Sequence, residues 1–146
     1  LNQSVEDISS IINKVDLDII QLHGNENIDD YTIFNKDIIN TIHASENIQS
    51  QLSKINLNKH MHLIDATDNQ MRGGSGTTFD WNILKDLNCE KLFIAGGLKP
   101  DNILDLLSRY TPKCVDVSSG IERKVGYKDH KIMSDFVETI RTYYEK

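Results

Sequence analysis

Two turns in the C-terminal half of the sequence combine the residue types that bind phosphate. Ala95-Gly96-Gly97-Leu98-Lys99-Pro100 and Val115-Asp116-Val117-Ser118-Ser119-Gly120 each follow or include a short apolar run. Glycine lets backbone N–H groups approach an anion closely, and serine hydroxyls add further donors. Together the two turns predict a cradle for one phosphate group. The alternative is that the glycines only allow tight connections between strands and helices.

Asp65 and His23 are the candidates for acid–base chemistry. Asp65 ends the apolar run His62-Leu63-Ile64-Asp65, where a carboxyl can act as a general acid toward a bound substrate; a cap or turn acid is the alternative. His23 follows the run Asp18–Leu22 and is either a proton donor or substrate contact, or a structural histidine. The other four histidines are His43, His60, His62 and His130. Their spacing does not match that of metal ligands, so the sequence predicts no metal site.

A glycine-rich stretch, Arg72-Gly73-Gly74-Ser75-Gly76-Thr77-Thr78-Phe79-Asp80-Trp81, lies between these candidates in the sequence. It lacks the Gly-Lys-Ser/Thr of a Walker loop and does not directly follow its strand, as a dinucleotide fingerprint does. It is either a mobile loop that covers a ligand or a plain connection. Thr78 or Asp80 is a candidate cap for a helix that carries Trp81, and Trp81 is predicted to pack in the core.

The elements that must position these residues are short apolar or β-branched runs separated by helical patterns. The runs are Asp18–Leu22, Ile38–His43, His62–Asp65, Lys91–Ala95 and Cys114–Val117. They recur about every 20 to 30 residues, the length of a strand plus a returning helix, which predicts parallel βα repeats. Each run ends in polar or glycine-rich residues, and ligands of α/β folds bind at the C-terminal ends of strands. Five such strands make either an open doubly wound sheet or five-eighths of a barrel.

Three segments show the apolar period of helices. One stripe runs from Val5 to Val15, one from Ile103 to Leu107 and one from Ile132 to Ile140. Lys99-Pro100-Asp101 marks a helix start, because proline fits the first turn and an acid there favours the positive end of the helix dipole.

Composition narrows the class of protein. The 146 residues, with 38% hydrophobic and 26% charged content, predict a single globular domain over residues 1–146. The net charge is -6 and the longest basic run is Arg123-Lys124, which disfavours a nucleic-acid partner. No apolar run approaches a membrane span and no secretory signal opens the chain, which predicts a cytoplasmic protein without a membrane partner. Cys89 and Cys114 are predicted to be reduced, largely buried thiols.

Several motifs occur in a fixed order along nearly the whole chain, and their combination is specific. They are Ile20-Gln21-Leu22-His23-Gly24, Leu63-Ile64-Asp65, Gly73 to Trp81, Ala95 to Asn102, Val115 to Glu122, Gly126 and Lys128-Asp129. In this combination the sequence resembles the phosphoribosylanthranilate isomerase family. The resemblance implies a (βα)8 TIM barrel, in which the five runs are the fourth to eighth strands, and therefore a chain that carries about the last five βα units.

The resemblance also implies a reaction. The family carries out the Amadori rearrangement of N-(5-phosphoribosyl)anthranilate to 1-(2-carboxyphenylamino)-1-deoxyribulose 5-phosphate in tryptophan biosynthesis. It uses no metal or organic cofactor, and its partner is a phosphorylated small molecule. Asp65 matches the family's catalytic acid. The matching substrate-binding positions are Gln21, His23, Gly96, Gly97, Asp116, Ser118, Ser119 and Gly120.

These residues depart from the family in two respects. The family's catalytic base is a cysteine in a Lys-Ile-Cys-Gly type motif on the first strand, and an arginine after the second strand helps to bind the substrate carboxylate. Neither motif occurs in the 146 residues, and neither Cys89 nor Cys114 lies where the base belongs. We therefore expect the first three βα units to be missing here, the residues to be inactive alone, and the unpaired strand edges to self-associate.

Two alternatives stay open from the sequence. One is another phosphate-binding barrel of tryptophan or histidine biosynthesis, which shares the phosphate turns without requiring the stretch from Gly73 to Trp81. The other is a noncatalytic phosphate-binding module, since the residues include the turns and the acid without the base.

Overall fold

The computed structural model of the chain describes residues 1–44, 48–53, 55–65 and 81–145. Five strands form one parallel sheet in chain order: β1 (Ile19–Leu22), β2 (Asp37–His43), β3 (Met61–Asp65), β4 (Leu92–Ala95) and β5 (Cys114–Val115). The predicted parallel βα repeat is therefore confirmed. The last strand is shorter than the predicted Cys114–Val117, although Asp116 N still donates to Ile94 O at 2.8 Å and extends the pairing.

Among the described residues, four α-helices accompany the sheet: α1 (Val5–Ile12), α2 (Ile48–Leu52), α3 (Ile103–Arg109) and α4 (His130–Tyr144). A small antiparallel hairpin of β6 (Glu122–Lys124) and β7 (Tyr127–Lys128) precedes α4. Short 3-10 helices occupy Ile28–Phe34, Trp81–Leu84, Cys89–Lys91 and Ser119–Ile121. None of the helices in the described part of the chain is long and apolar enough to cross a membrane.

The helix boundaries follow local chemistry. Helix α1 ends at Ile12, so the predicted stripe to Val15 is too long; its start is capped by Ser4, whose side chain accepts from the N–H of Asp7. Pro100 lies in a turn just before α3, in which the N–H of Ile103 donates to Lys99 O at 3.1 Å. The turn has helical hydrogen bonding, so proline occupies the first-turn position that its missing N–H allows.

Strand side chains alternate between two faces of the sheet. One face packs under the helices and holds apolar residues that are almost completely buried, among them Ile42, Ile64 and Ile94. A second cluster, with Ile20 and Ile38 at its centre, lies against α1 and the first 3-10 helix. The alternate residues of the same strands lie on the opposite face, which carries the candidate site.

Three predictions about single residues have different outcomes. Trp81 is buried in the larger core cluster, as predicted for a packing residue. Cys89 is buried, which raises the pKa of its thiol, but Cys114 is exposed, so the prediction of two buried thiols is wrong for Cys114. The reason is that Cys114 begins the edge strand β5, where one side of the strand has no neighbour in this sheet. The glycine-rich stretch and its candidate caps at positions 72–80 lie outside the described residues.

We predict that His62 makes stability fall in mild acid. His62 lies within β3 with 0% of its surface exposed, and within the described residues neither ring nitrogen has a hydrogen-bond partner of good geometry. Burial lowers the pKa of its imidazole, an effect that outweighs an opposing contribution from the Asn56 backbone. The His62 imidazole is therefore protonated more readily in the unfolded chain than in the folded chain. The stability that neutral His62 gives to the fold is therefore fully present above the ordinary pKa of 6.5. It is lost as the pH falls toward the lowered pKa of the folded state.

Urea unfolding of the wild type and of His62→Leu at pH 5 to 8 measures this effect. The His62→Leu chain should lose less stability between pH 7 and pH 5 than the wild type does. Parallel pH profiles for the two chains would contradict the assignment.

Candidate active site

Three neighbouring strands bring polar side chains together on the face opposite the helices. The register pairs Thr41 with Leu63 and His43 with Asp65, and it continues so that His23 follows the last paired residue of β1. Because alternate residues share a face, His23, Thr41, His43 and Asp65 all project to the same side at the C-terminal ends of the strands. The sequence separates them widely, but the parallel sheet makes them neighbours.

A hydrogen-bonded chain centred on His23 connects Gln21, Thr41 and Asp65, and His43 is not part of it. His23 Nε2 lies 3.0 Å from Asp65 Oδ2, and His23 Nδ1 lies 3.2 Å from both Gln21 Nε2 and Thr41 Oγ1. An amide NH₂ can only donate, so in this arrangement Nδ1 accepts from Gln21 and Nε2 carries the ring proton that is donated to Asp65. The chain orients the carboxyl of Asp65, which is 8% exposed and therefore available to a ligand from one side only.

A cleft of about 150 Å³ lies beside this carboxyl. It brings together residues from the ends of β1, β3 and β4 and from the turn after β5. Its lining consists of His23, Asp65, Ala95, Gly96, Gly97, Leu98, Asp116, Ser118, Ser119 and Gly120. Eight of the nine predicted site residues thus line one cleft; the ninth, Gln21, contacts the cleft through His23.

The two glycine turns meet at very short range. Gly96 and Gly97 have φ values of +92° and +65°, the left-handed region that favours glycine. A Cβ atom on Gly120 would lie 1.7 Å from the Leu98 carbonyl oxygen, so only glycine lets the second turn approach the first this closely. Within the described residues, no hydrogen bond outside the regular elements uses the N–H of Gly97, Ser119 or Gly120. These donors are available to a ligand in the cleft.

Side chains outside the cleft fix both turns. For the first turn, Asn102 Oδ1 accepts from the N–H of Lys99 at 2.8 Å, and its Nδ2 donates to Gly97 O at 2.9 Å. For the second turn, Lys128 Nζ donates to Ser118 O at 2.7 Å, to Ser118 Oγ at 3.2 Å and to Glu122 Oε1 at 2.8 Å. The hydrogen bond from Lys128 lowers the pKa of the Glu122 carboxyl. Both turns are therefore held before any ligand binds.

Gly126 of the hairpin and Asp129 just after it connect the second turn to helix α4. Gly126, with φ +78°, turns the chain so that its N–H donates to Glu122 Oε2 at 3.1 Å. Asp129 then caps α4 by accepting from the N–H groups of Lys131 and Ile132, while its own N–H donates to Ile121 O at 2.9 Å. These residues tie the second turn to the last helix.

Sequence reasoning did not find every residue of this region. Thr41, His43, Asn102 and the anchoring contacts of Lys128 come only from the structure. Thr41 and His43 could have been found from the strand period, since they lie at alternate positions of the run Ile38–His43. The contacts of Asn102 and Lys128 depend on turn geometry that no spacing rule indicates.

A larger cavity, of about 750 Å³, lies at the opposite ends of the strands. It is lined by residues that precede or begin the strands, including Lys36, His60, Lys91 and Lys113. It contains none of the predicted site residues, and its lining comes from the N-terminal ends, where α/β folds seldom bind substrate. Size alone does not make it the better candidate.

Comparison with known proteins agrees with this architecture. The family model for N-(5'phosphoribosyl)anthranilate (PRA) isomerase matches residues 1–139. The chain is 38% identical to the N-(5'-phosphoribosyl)anthranilate isomerase of Legionella pneumophila strain Corby over 134 residues, which cover 91% of this chain and 65% of that protein. It is 41% identical to the Oceanobacillus iheyensis enzyme over 143 residues, which cover 97% of this chain and 69% of that protein.

Solved structures show the same fold. Phosphoribosyl anthranilate isomerase from Thermotoga maritima superposes with a TM-score of 0.80 at 30% identity, covering 97% of this chain and 70% of that one. A PRA isomerase in complex with reduced 1-(o-carboxyphenylamino)-1-deoxyribulose 5-phosphate superposes with a TM-score of 0.75 at 27% identity. The match covers 97% of this chain and 68% of that one. The parallel five-stranded α/β sheet thus matches part of each of these structures.

The extent of the match decides the family. The chain spans 65% of the length of the Legionella relatives, and the matched region runs through nearly all of the chain. Sequence identity, the family model and the superposed sheet agree on one assignment. The chain belongs to the N-(5'phosphoribosyl)anthranilate (PRA) isomerase family.

Proposed function

We propose that this chain provides the acid and the phosphate-binding part of an isomerase that converts N-(5-phosphoribosyl)anthranilate to 1-(2-carboxyphenylamino)-1-deoxyribulose 5-phosphate. The observation that carries the proposal is the single cleft in which Asp65 faces the two glycine turns. A phosphorylated sugar needs both features at once: a fixed anion site at one end and a proton donor near the sugar ring. Relatives named for this activity support the choice of substrate.

Asp65 is the proposed general acid. In its protonated form it donates its proton to the ribose ring oxygen, the C1–O bond breaks, and the substrate opens to a protonated Schiff base. A base then removes the proton from C2, and the resulting enolamine tautomerises to the ketone product. This chemistry is internal to the substrate and needs no metal or organic cofactor. His23, 3.0 Å from Asp65 Oδ2, holds the carboxyl in place and, with Gln21, faces the substrate.

The phosphate is proposed to bind between the turns. Gly96, Gly97, Ser119 and Gly120 present backbone N–H groups, and the Ser118 and Ser119 hydroxyls are further donors in the same cleft. Asp116 also lines the cleft, and its carboxyl is suited to accept hydrogen bonds from sugar hydroxyls. Because Lys128 and Asn102 already hold the turns, little conformational entropy is lost when the anion binds.

We further propose that residues 1–146 form one domain equivalent to the last five βα units of a (βα)8 barrel. The chain matches about two thirds of each relative, and β1 and β5 each have only one neighbour in the described sheet. In this proposal the proton-abstracting base and the carboxylate-binding arginine come from the first units of the barrel. The same units would cover the two strand edges, and without them the edges are open to self-association.

Asp65→Asn should abolish isomerisation while leaving the site intact. Asparagine keeps the shape and can still accept from His23, but it has no proton to give to the ring oxygen. We expect turnover to fall by about 10²- to 10⁴-fold, measured by the loss of substrate fluorescence in a chain supplied with the first three βα units of a relative.

The matched control is Asp101→Asn, which makes the same change at an exposed residue outside the cleft. It should turn over like the parent. An Asp65→Asn protein that turns over within about threefold of the parent would overturn the role of Asp65.

Lys128→Met should raise KM and leave kcat nearly unchanged. The substitution removes two donor contacts from the second turn, both to Ser118, and one from Glu122, without touching Asp65 or the ring of the substrate. Steady-state kinetics in the same supplied chain separates the two constants, and Lys128→Arg should restore part of the affinity because it can still donate.

Lys131→Met is the control for this prediction. Lys131 pairs with Asp135 on the surface of α4, away from both turns, so the change should leave both constants as they were. A fall in kcat with unchanged KM in Lys128→Met would show that Lys128 does not act through the phosphate turn.

A further inference from the structure

His23, His43 and Asp65 form a cluster of ligating side chains that the proposed reaction does not need. They come from the ends of β1, β2 and β3, and one ligating atom from each lies within 4.8 Å of the other two. The rings of His23 and His43 are in edge-to-face contact, with centroids 5.5 Å apart. The proposed isomerisation uses Asp65 and gives a contact to His23, but it assigns nothing to His43.

One ring nitrogen of His43 has no polar partner in the part of the chain that the structure describes. This atom, Nδ1, is buried. An imidazole nitrogen withdrawn from water without a partner costs free energy, and a bound cation is one way to satisfy it. His43 also pairs in register with Asp65, so the two side chains start from neighbouring positions on the same face of the sheet.

We propose that His23, His43 and Asp65 bind a divalent transition-metal ion of the zinc class at the mouth of the cleft, and that this ion inhibits the isomerase. Two imidazoles and one carboxylate are a ligand set that suits zinc, nickel or cobalt. Magnesium and calcium prefer several oxygen ligands, and this cluster offers one carboxylate.

The ligand atoms of His23, His43 and Asp65 need to move only a short way to bind one ion. With metal–ligand bonds of about 2.0–2.2 Å, the ligand atoms of a tetrahedral site lie about 3.4 Å apart. Since the ligand atoms all lie within 4.8 Å of one another, the most separated pair must approach by about 1.4 Å at most, which rotation of the partly exposed histidine rings can supply. Three protein ligands leave the fourth position open to water, facing the cleft.

Thr41 supplies the outer contact that a metal-bound histidine needs. Its Oγ1 lies 3.2 Å from His23 Nδ1. If the His23 ring proton moves from Nε2 to Nδ1, Nδ1–H donates to Thr41 Oγ1 and the lone pair of Nε2 is free to coordinate the ion. The Gln21 NH₂ can no longer donate to Nδ1 in this state, so the Gln21 amide must rotate and turn its oxygen toward Nδ1 or leave the ring. No proton is gained or lost in this change, and such a second hydrogen bond is the usual way that proteins orient a metal-bound imidazole.

Inhibition follows from the use of Asp65. A carboxylate that coordinates a cation cannot carry the proton needed for ring opening, so the loaded protein loses its acid. This consequence rests on the proposed function, whereas binding of the ion does not. The two statements are therefore tested by separate measurements.

Binding is measured by calorimetric titration of Zn²⁺ and by visible absorption of Co²⁺, using residues 1–146. All proteins carry Cys114→Ser, so that the exposed thiol cannot supply a ligand. His43→Phe keeps an aromatic ring beside His23 but removes both nitrogens, and it should weaken Zn²⁺ binding by about tenfold or more. Mg²⁺ should give no binding heat.

The control is His60→Phe, which makes the same change at a partly buried histidine before β3, at the opposite end of that strand from Asp65. It should bind Zn²⁺ like the parent. Equal affinity in His43→Phe and the parent, or no binding by the parent at Zn²⁺ concentrations up to about 1 mM, would overturn the metal site.

Inhibition by Zn²⁺ is measured as the rate of isomerisation in the chain supplied with the first three βα units. Zn²⁺ should inhibit the parent and His60→Phe, and His43→Phe should turn over normally and resist Zn²⁺. If the parent binds Zn²⁺ but turns over no substrate even without metal, the proposed function fails and the metal site stands. If Zn²⁺ binds at His43 without inhibiting turnover, the inhibitory role is wrong.

Discussion

The alternation of side chains along parallel strands is the constraint on which this structure depends. In each strand one set of residues must be apolar, because the helices cover that face, while the next residue along projects to the other side. Ile42 and Ile64 satisfy the first requirement and are almost fully buried. The parallel register then leaves no freedom for their neighbours: His43 and Asp65 meet at the C-terminal ends because Ile42 and Ile64 are paired one position earlier.

The loops add what the sheet cannot supply. The strands fix Asp65, the proposed acid, but the proposed anion site needs backbone N–H groups that point into open space, and a regular strand uses these groups in its ladder. The turn after β4 frees them by adopting left-handed conformations at Gly96 and Gly97, and the turn after β5 comes into close contact with it through Gly120 and Leu98. Asn102 and Lys128 hold this arrangement from outside the cleft. The site is therefore rigid at both ends, which suits a reaction in which a proton must reach one ring oxygen.

The sequence predicted the repeating fold and most of the cleft, for a physical reason. Short apolar runs ending in glycine, serine or aspartate indicate strands and strand ends, so Asp65, Gly97 and Ser118 could be selected without a structure. The partners of these residues could not be selected, because they depend on register and turn geometry. For His43, the strand period of the run Ile38–His43 indicates the face on which it lies, but its contact with His23 depends on how β1 and β2 pair. The exposure of Cys114 was mispredicted because a strand at the sheet edge has the same local sequence as a central one.

The central claim is that this chain supplies the acid and the phosphate site of a PRA isomerase whose base lies in other βα units. Joining residues 1–146 to the first three βα units of a relative in one polypeptide, and following the loss of phosphoribosylanthranilate fluorescence, tests it most directly. The account predicts that the joined protein is monomeric and turns over substrate, while residues 1–146 alone do not. A folded, monomeric joined protein without turnover, or turnover by residues 1–146 alone, would contradict it.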